Sequence, residues 1–400
     1  PYTTLFRSRP PSFGRDYLIP QPFDPRLLLQ LPPAVAQAAM DSGVAQRPIE
    51  DFAAYSDRLN SFVFRTGLLM RPVFERARAH PRRVVYAEGE EDTVLRAVQV
   101  VVDQGLARPI LIGRPKVIEK RIRRAGLRIK LGVDVELVDI HDDPRFNDYW
   151  QHYHRLMERR GVTPAMAKAV VRSRATVIAA LMVERGEADA LLCGLVGLYQ
   201  SKLSYIRDII GLDAGVSAPS AMAAVSTEKG TFFYLDTHVQ DDPSSEQIAQ
   251  AVLQVSIRLK LFGITPKIAL LSAGNFGNQD TCGAVKMRKA LALIRARAPR
   301  LEVEGEMQAD TALMPELRER MFPNSQLQGK ANVFVFPNQD AANIAYNMTR
   351  MLSDGVAIGP ILMGIAKPAH ILTPQSTVRR MVNMTAVACV EAQIRADIRS

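Results

Sequence analysis

A segment near the C-terminus is rich in hydroxyl and amide side chains that can hold an anion. Its donors are Thr373, Gln375, Ser376 and Thr377. Hydroxyl and amide groups donate hydrogen bonds to phosphate oxygens, and a helix N-terminus adds backbone N–H groups and the positive end of a dipole. Ser and Thr are also ordinary first residues of helices. The two roles are compatible, so the segment predicts a helix start that can also bind an anion.

Two basic residues and one Gly-containing loop extend this chemistry to the middle of the chain. Lys202 and Arg207 follow the apolar run 188–193, and ligands of open α/β sheets bind beyond the carboxyl ends of the strands. The loop 274–277 reads Gly-Asn-Phe-Gly, and its backbone N–H groups, together with Asn275, form a weaker candidate. For Lys202 and Arg207 the alternative is an ordinary solvated face; we interpret both as anion-binding.

Apolar runs separated by helix-length segments recur from residue 82 onward, and such runs are typical of strands buried on both faces of a parallel sheet. The predicted strands lie within residues 82–89, 109–113, 135–140, 188–193, 230–236, 267–272 and 331–337. The predicted helices cover residues 34–40, 91–104, 164–184, 245–262 and 282–298, with one or two more between 51 and 80. This alternation predicts two α/β lobes with a cleft between them.

Composition excludes several classes of function. The 400 residues are 47% hydrophobic and carry a net charge of +10, but the basic residues are scattered and only 6% are aromatic, which disfavours a nucleic-acid reader. No uncharged apolar stretch is long enough to span a membrane. Cys193, Cys282 and Cys389 are odd in number and widely spaced, which indicates a reducing compartment, and we expect a cytoplasmic protein. No His has a partner at metal-ligand spacing, so we expect no metal site.

The run from Lys367 to Asn383 resembles the signature K-P-x-N-D-L-S-R-G-C-S-x-x-D-I-V-N of phosphate acetyltransferases. In that family the Ser, Arg and Asp serve acetyl-phosphate and coenzyme A chemistry. Here they are replaced by Thr373, Pro374 and Arg380. Pro lacks the charged donor fork that holds a phosphate, and an Arg in place of a basic carboxylate reverses the local charge. The resemblance therefore implies a retained scaffold and lost catalysis, with no catalytic residue assigned.

The same resemblance continues through residues 82–400. The segment from Gly197 to Arg207 is similar to the family's G-A-x-H-S-T-A-D-T-V-R, and it adds Tyr199 to the implied binding residues, as the signature adds Lys367. Other family residues are replaced, since Met157 stands at an Arg position and the loop at Asn275 lacks a phosphate-binding Lys. The implied fold is the two-lobed one shared with isocitrate dehydrogenase, with lobe I formed by residues 82–218 and 361–400 and lobe II by residues 219–360.

Upstream, the Pro-rich run 13–26 and the segments 39–45 and 47–49 resemble the end of the catalytic part of bacterial NADP-dependent malic enzymes. We interpret residues 9–60 as this tail, 61–81 as a helical connector, and 1–8, which match nothing, as an artefact at the start of a truncated chain. The alternative for the tail is a Pro-rich linker without further meaning.

Together the resemblances imply a regulatory and oligomerisation domain attached in cis to a malic enzyme domain. The implied effector is acetyl-CoA or a related acyl-CoA, whereas NADP and Mg or Mn belong to the absent catalytic domain, which converts malate to pyruvate. The implied assembly is a homo-oligomer. One alternative is an active phosphate acetyltransferase, and another is a pure assembly module with an empty cleft.

Overall fold

The computed structural model describes residues 25–353 and 355–399. These fall into two compact units with the boundary between Gly67 and Leu68. The interpretation of residues 1–8 and of the first part of the 9–60 tail lies outside the described residues. No helix in the described ranges is long and apolar enough to cross a membrane.

The described ranges contain fourteen α-helices. They are α1 (Pro25–Asp41), α2 (Phe52–Ala79), α3 (Asp92–Asp103), α4 (Pro115–Arg124), α5 (Phe146–Met157), α6 (Pro164–Ser173), α7 (Ala175–Glu184), α8 (Tyr199–Ile210), α9 (Ser245–Arg258), α10 (Cys282–Arg297), α11 (Ala309–Leu313), α12 (Pro315–Met321), α13 (Gln339–Leu352) and α14 (Val378–Arg399). Short 3-10 helices cover Glu158–Arg160 and Leu259–Phe262.

Eleven β-strands lie in the same ranges. They are β1 (Arg83–Tyr86), β2 (Arg108–Ile112), β3 (Glu136–Val138), β4 (Ala190–Cys193), β5 (Ser220–Thr227), β6 (Gly230–Leu235), β7 (Ile268–Leu271), β8 (Val303–Met307), β9 (Val333–Val335), β10 (Val356–Met363) and β11 (Ala369–Ile371).

In the first unit, α1 is longer than the predicted helix 34–40 and contains Pro32 and Pro33. Proline has a helix-compatible φ but lacks the N–H donor, so a helix can continue through it at a cost in hydrogen bonds. Near the end of α1, Gln37 Nε2 donates to Asp41 Oδ1 at 2.8 Å. A left-handed Gly43 with φ of 73° follows. The helix therefore begins at Pro25 and not at residue 34.

Two sheets form the second unit. The first is entirely parallel, in the order β11-β4-β1-β2-β3. The second is mixed, in the order β10-β5-β6-β9-β7-β8, because β5 pairs antiparallel with both β6 and β10. The apolar runs predicted as strands lie in these sheets, and β4, β5, β7 and β8 are buried along their whole length. The predicted two-lobed α/β fold, with one parallel and one mixed sheet, is confirmed.

Two predicted helices are interrupted. The segment 164–184 breaks at Arg174, whose φ of −128° and ψ of 93° are extended, so α6 and α7 are separate helices. The segment 245–262 ends in a 3-10 turn after α9, closed by Gly263 with φ of 64°. Polar residues occur at both breaks, Arg172 to Arg174 at the first and Arg258 and Lys260 at the second, but such residues also fit the exposed face of an unbroken helix and therefore give no distinct signal. Lys202 and Arg207, which follow β4 in the sequence, lie on helix α8.

The C-terminal helix α14 joins the two sheets. It packs against β1, β4 and β11 of the parallel sheet and against β10 of the mixed sheet. Met384 and Ala388 are fully buried in a hydrophobic cluster that also contains Leu95 of α3 and Val252 of α9. A helix buried on nearly every side shows no amphipathic stripe, and its apolar area supplies a large part of the stabilisation of this core.

Candidate functional site

A cavity of about 360 Å³ lies where α13 approaches the segment between β11 and α14. Its walls are polar or basic: the lining residues are His238, Asn343, Tyr346, Asn347, Arg350, Thr373, Gln375 and Arg380. This volume is within the range of small-molecule sites. No Asp or Glu is among these lining residues, so the cavity is a candidate site for an anion.

The turn at residues 373–376 forms one wall. Ser376 N donates to Thr373 O at 2.9 Å, which places Pro374 at the second position of a β-turn, where its fixed φ is favoured. Ser376 is buried, and its hydroxyl accepts from Thr373 N at 3.2 Å. Thr377 caps α14, because its hydroxyl accepts from Arg380 N at 3.3 Å. Ser376 and Thr377 therefore shape the turn and the helix start, whereas Thr373 and Gln375 reach the cavity.

Arg380 is 7% exposed, and two protein groups accept hydrogen bonds from its guanidinium. Its Nε donates to Gly359 O, and Nη2 donates to Tyr346 Oη at 3.1 Å. Burial is the first cause that lowers the pKa of Arg380, and the neighbouring charge of Arg350 lowers it further. No carboxylate in the described ranges pairs with either guanidinium.

The polar face of α13 supplies the opposite wall. Asn343, Tyr346, Asn347 and Arg350 are spaced i, i+3, i+4 and i+7, which places them on one face of the helix. Asn343 Nδ2 donates to Thr237 O at 3.1 Å, and Asn347 Nδ2 donates to Asn343 Oδ1 at 3.0 Å. The Arg350 guanidinium lies 5.8 Å from the Tyr346 ring centroid, and its buried Nε has no hydrogen-bond partner within residues 25–353 and 355–399.

His238 enters the cavity from the loop after β6. Its Nδ1 lies 2.7 Å from Thr237 Oγ1, and its ring lies against Tyr199, with centroids 5.3 Å apart. Burial, followed by the charge of Arg380, lowers the pKa of His238 to about 4, so the imidazole is neutral at pH 7. The hydroxyl of Tyr199 is buried and has no hydrogen-bond partner among the described residues, and burial raises its pKa well above the ordinary value.

Asp236 fixes the loop that carries His238. Its Oδ1 accepts from the backbone N–H groups of His238 and Val239 at 3.0 and 3.1 Å. Burial raises the pKa of Asp236 to about 7, and these backbone hydrogen bonds oppose the rise. The side chain therefore acts as a cap for the turn, and it is not a lining residue of the cavity.

Lys202 is part of a separate, nearly buried network. Its Nζ lies 2.5 Å from Glu88 Oε1 and 3.0 Å from Thr176 Oγ1. Glu88 also accepts from Gly194 N, at 3.1 and 3.0 Å to its two oxygens. The charge of Lys202 is thus compensated inside the fold.

The loop at Asn275 holds an internal carboxylate. Gly277 N donates to Glu306 Oε1 at 2.8 Å, and Arg288 Nη1 donates to the same oxygen at 2.8 Å. Asn275 Nδ2 donates to Gln308 Oε1 at 2.9 Å, and Asn275 Oδ1 accepts from Gln308 N at 2.8 Å. Glu306 is fully buried, so the position expected for a ligand anion is taken by this residue.

Two further predicted residues lie away from the cavity walls. Lys367 Nζ donates to the carbonyl oxygens of Val183, at 2.9 Å, and Glu184, which caps the C-terminus of α7. Arg207 is half exposed and donates to Asp208 Oδ1 at 3.1 Å. Of the nine residues predicted to bind, the structure places Thr373 and Gln375 in the cavity wall and Tyr199 against His238.

Sequence reasoning missed the contribution of α13 to the site. A signal was available, because the polar residues at 343, 346, 347 and 350 recur with helical period. Arg380 was recognised only as a replacement, and not as a wall of a cavity. His238 gave no signal, since one His in a loop has no distinctive spacing.

Residues 68–389 match the family model described as phosphate acetyl/butaryl transferase, and the chain belongs to this family. Its fold matches a phosphotransacetylase from Streptococcus pyogenes with a TM-score of 0.76 at 25% identity, covering 82% of this chain and 98% of that one.

Among curated proteins, the chain is similar to malic enzymes. It is 52% identical over 383 residues to the NADP-dependent malic enzyme of Escherichia coli, covering 96% of this chain and 50% of the relative. The NAD-dependent malic enzyme of Rhizobium meliloti is also 52% identical over 383 residues, with the same coverage. The chain thus spans about half the length of these relatives, and the predicted resemblance to both families is confirmed.

Proposed function

We propose that this chain is a regulatory domain that binds acetyl-CoA, or a related acyl-CoA, without efficient acetyl transfer. The observation that carries the proposal is the composition of the cavity, which combines hydrogen-bond donors and two arginines with no lining carboxylate. CoA is an anion rich in phosphate, so such walls suit it. A cavity of about 360 Å³ holds only part of so long a molecule, and the rest extends beyond it.

The same walls are poorly suited to transfer. Attack by the CoA thiol needs a general base whose pKa lies near the working pH. Arg380 is a cation, and His238, with a pKa of about 4, is a weak base whose Nδ1 already contacts Thr237. Pro374 contributes turn geometry and no charge. Catalytic groups act as a unit, so the loss of several members lowers the rate far more than the loss of one.

The malic enzyme relatives suggest the process under control. We propose that the longer protein oxidises malate to pyruvate with NADP, and that acyl-CoA binding to this domain lowers that activity. A coupling free energy of about 1–3 kcal/mol between the two sites is sufficient for such control. The described ranges contain no cluster of three His, Cys, Asp or Glu residues that fits a metal ion, so we assign no divalent metal to them.

Calorimetric titration of the chain with acetyl-CoA tests the proposal. Saturable binding, with no acetyl phosphate formed from acetyl-CoA and phosphate, is the expected result. The absence of binding would contradict the proposal and leave an assembly role. We propose that Arg207, which is half exposed and outside the cavity walls, contacts the part of CoA that extends beyond the cavity. Arg207→Ala is then expected to weaken acetyl-CoA binding without unfolding the chain, and an unchanged affinity would remove Arg207 from the site.

The second candidate is an active phosphate acetyltransferase, which family membership and the Thr373 hydroxyl in the cavity favour. Rapid formation of acetyl phosphate, or arsenolysis of it, would establish this activity. Restoring the family residues by Thr373→Ser, Pro374→Arg and Arg380→Asp is not expected to create it. The new carboxylate would face Gly359 O, which accepts a hydrogen bond from Arg380 in the present fold.

We also propose that the domain assembles as a homo-oligomer. The face of α13 that points away from the cavity exposes Ile344, Met348, Met351 and Leu352, which are 56–81% exposed. Exposed apolar side chains at helical spacing are typical of contact surfaces. Light scattering after gel filtration measures the assembly directly, and Met348→Glu with Met351→Glu should reduce it.

A further inference from the structure

Two arginines share one polar cavity whose described lining residues include no carboxylate. Arg350 comes from α13 and Arg380 from the first turn of α14, and Tyr346 lies between them. Arg380 donates to the Tyr346 hydroxyl at 3.1 Å, and the Arg350 guanidinium lies 5.8 Å from the centre of the same ring. The two cations therefore face one small volume.

Both guanidiniums keep unused donors. Arg380 is anchored through Nε and Nη2, and Nη1 has no protein partner in the described part of the chain. Arg350 donates no side-chain hydrogen bond there, and its Nε is buried. A buried donor without a partner is costly, and two like charges disfavour each other. An anion with several acceptor oxygens would relieve both costs.

We propose that Arg350 and Arg380 form a subsite for a phosphate group. Guanidinium forks match phosphate oxygens, and the amides of Asn347 and Gln375 with the Thr373 hydroxyl offer further donors around the same cavity. Two facing cations suit a dianion better than a singly charged carboxylate such as acetate. The subsite rests on the proposed function, because the phosphate can be one of those of the acyl-CoA, although free phosphate has the same chemistry.

The charge at position 380 is opposite to the charge that the C-terminal signature has there. The signature has an acidic residue at position 380, which repels an anion, whereas this chain has a cation fixed by two protein contacts. Arg380 thus attracts an anion at the position where the acidic residue would act as a base.

The test is calorimetric titration of the full chain with inorganic phosphate at matched ionic strength, which removes general salt effects. We expect saturable binding by the unaltered chain and at least about tenfold weaker binding by Arg350→Gln. Arg123→Gln, on the exposed surface of α4, is the matched control and should bind phosphate normally. Acetate should not compete.

A second variant covers the case in which Arg350→Gln folds poorly. Asn347→Asp has nearly the same shape and places a negative charge in the cavity, so it should abolish phosphate binding while both arginines remain. Circular dichroism and thermal melting establish that each variant is folded. Failure of the unaltered chain to bind phosphate, or unchanged affinity in both folded variants, would overturn the subsite.

Competition identifies the source of the phosphate. If phosphate raises the apparent Kd of acetyl-CoA, and Arg350→Gln weakens both ligands, the subsite holds a phosphate of the CoA. If both ligands bind together, and Arg350→Gln weakens only phosphate, the subsite serves free phosphate. If phosphate binds through Arg350 but acetyl-CoA does not bind at all, the subsite stands and the proposed regulation by acyl-CoA fails.

Discussion

The ammonium of Lys202 lies 2.5 Å from Glu88 Oε1, and the two side chains are only 13% and 11% exposed. Glu88 also receives the N–H of Gly194, so the pair connects α8 to the ends of β1 and β4. A lysine expected to meet a ligand is therefore engaged in holding the sheet edge together.

Replacing Lys202 by Met should lower the free energy of unfolding by about 3 kcal/mol, because Glu88 would be left nearly buried without its partner. Urea denaturation measures this, with Lys120→Met on the exposed side of α4 as the control. Adding Glu88→Gln should recover part of the loss. Normal stability with a large loss of acetyl-CoA affinity would instead place Lys202 in the ligand site.

Arg258 of α9 and Glu391 of α14 form a buried ion pair, in which Glu391 is 4% exposed. His370 Nε2 lies 3.5 Å from the other oxygen of Glu391. Removing one partner, as in Arg258→Met, should cost about 3–5 kcal/mol, because the remaining charge has no water to solvate it. The double variant with Glu391→Leu should be more stable than the sum of the single effects predicts, and strict additivity in this double-mutant cycle would show that the pair is not coupled.

His370 makes the fold sensitive to acid. Burial, followed by the charges of Arg258 and Arg395, lowers the pKa of His370 to about 3, below the ordinary value of 6.5. Between these values the unfolded chain binds the proton and the folded chain does not, so stability is present above pH 6.5 and falls as the pH drops towards 3. Between pH 6.5 and 5 the loss should be about 2 kcal/mol.

His370→Asn should reduce this loss, since the Asn oxygen can still accept from Leu362 N, as Nδ1 does at 3.2 Å. Urea denaturation from pH 7 to pH 5 provides the comparison, with the exposed His141→Asn as the control. An acid slope equal to that of the unaltered protein would show that His370 is not the sensitive group.

Gly194 lies against the backbone that leads into the cavity wall. Its φ is 112°, and a Cβ there would stand 2.2 Å from Leu372 O, next to Thr373. Gly194→Ala should therefore destabilise the fold by about 3 kcal/mol or more and weaken ligand binding by displacing Thr373. Gly105→Ala is the control that separates backbone strain from steric overlap. Gly105 has a φ of 63°, and no described atom lies within 4 Å of a Cβ added there, so the substitution should cost only about 1 kcal/mol. Equal losses in the two variants in thermal melts would mean that Leu372 moves aside freely.

Strand positions could be predicted from the sequence because buried parallel strands are continuous apolar runs, and β1, β4 and β7 lie within the predicted ranges. The break at Arg174 could not, since the polar residues 172–174 would fit the exposed face of an unbroken helix equally well. Helical spacing at 343, 346, 347 and 350 was visible in the sequence, but only the fold shows that this face meets Thr373 across a cavity.

The sequence does not show which charged side chains are free to bind a ligand. Side-chain type indicates that Lys202 and Lys367 can bind an anion, but it does not indicate whether a partner within the fold already holds them. Glu88 is 114 positions from Lys202, and Val183 is 184 positions from Lys367, so the pairing is set by tertiary structure. Arg350 and Arg380 differ because no carboxylate reaches them in the described part of the chain.

The Glu306 carboxylate of β8 occupies the loop at Asn275 from within the fold. An incoming phosphate would first have to displace Glu306 from Gly277 N and from Arg288, so this loop is a poor site for a free anion. If Arg350 and Arg380 bind phosphate as proposed, the chain would respond to small anions at that cavity and not at the loop.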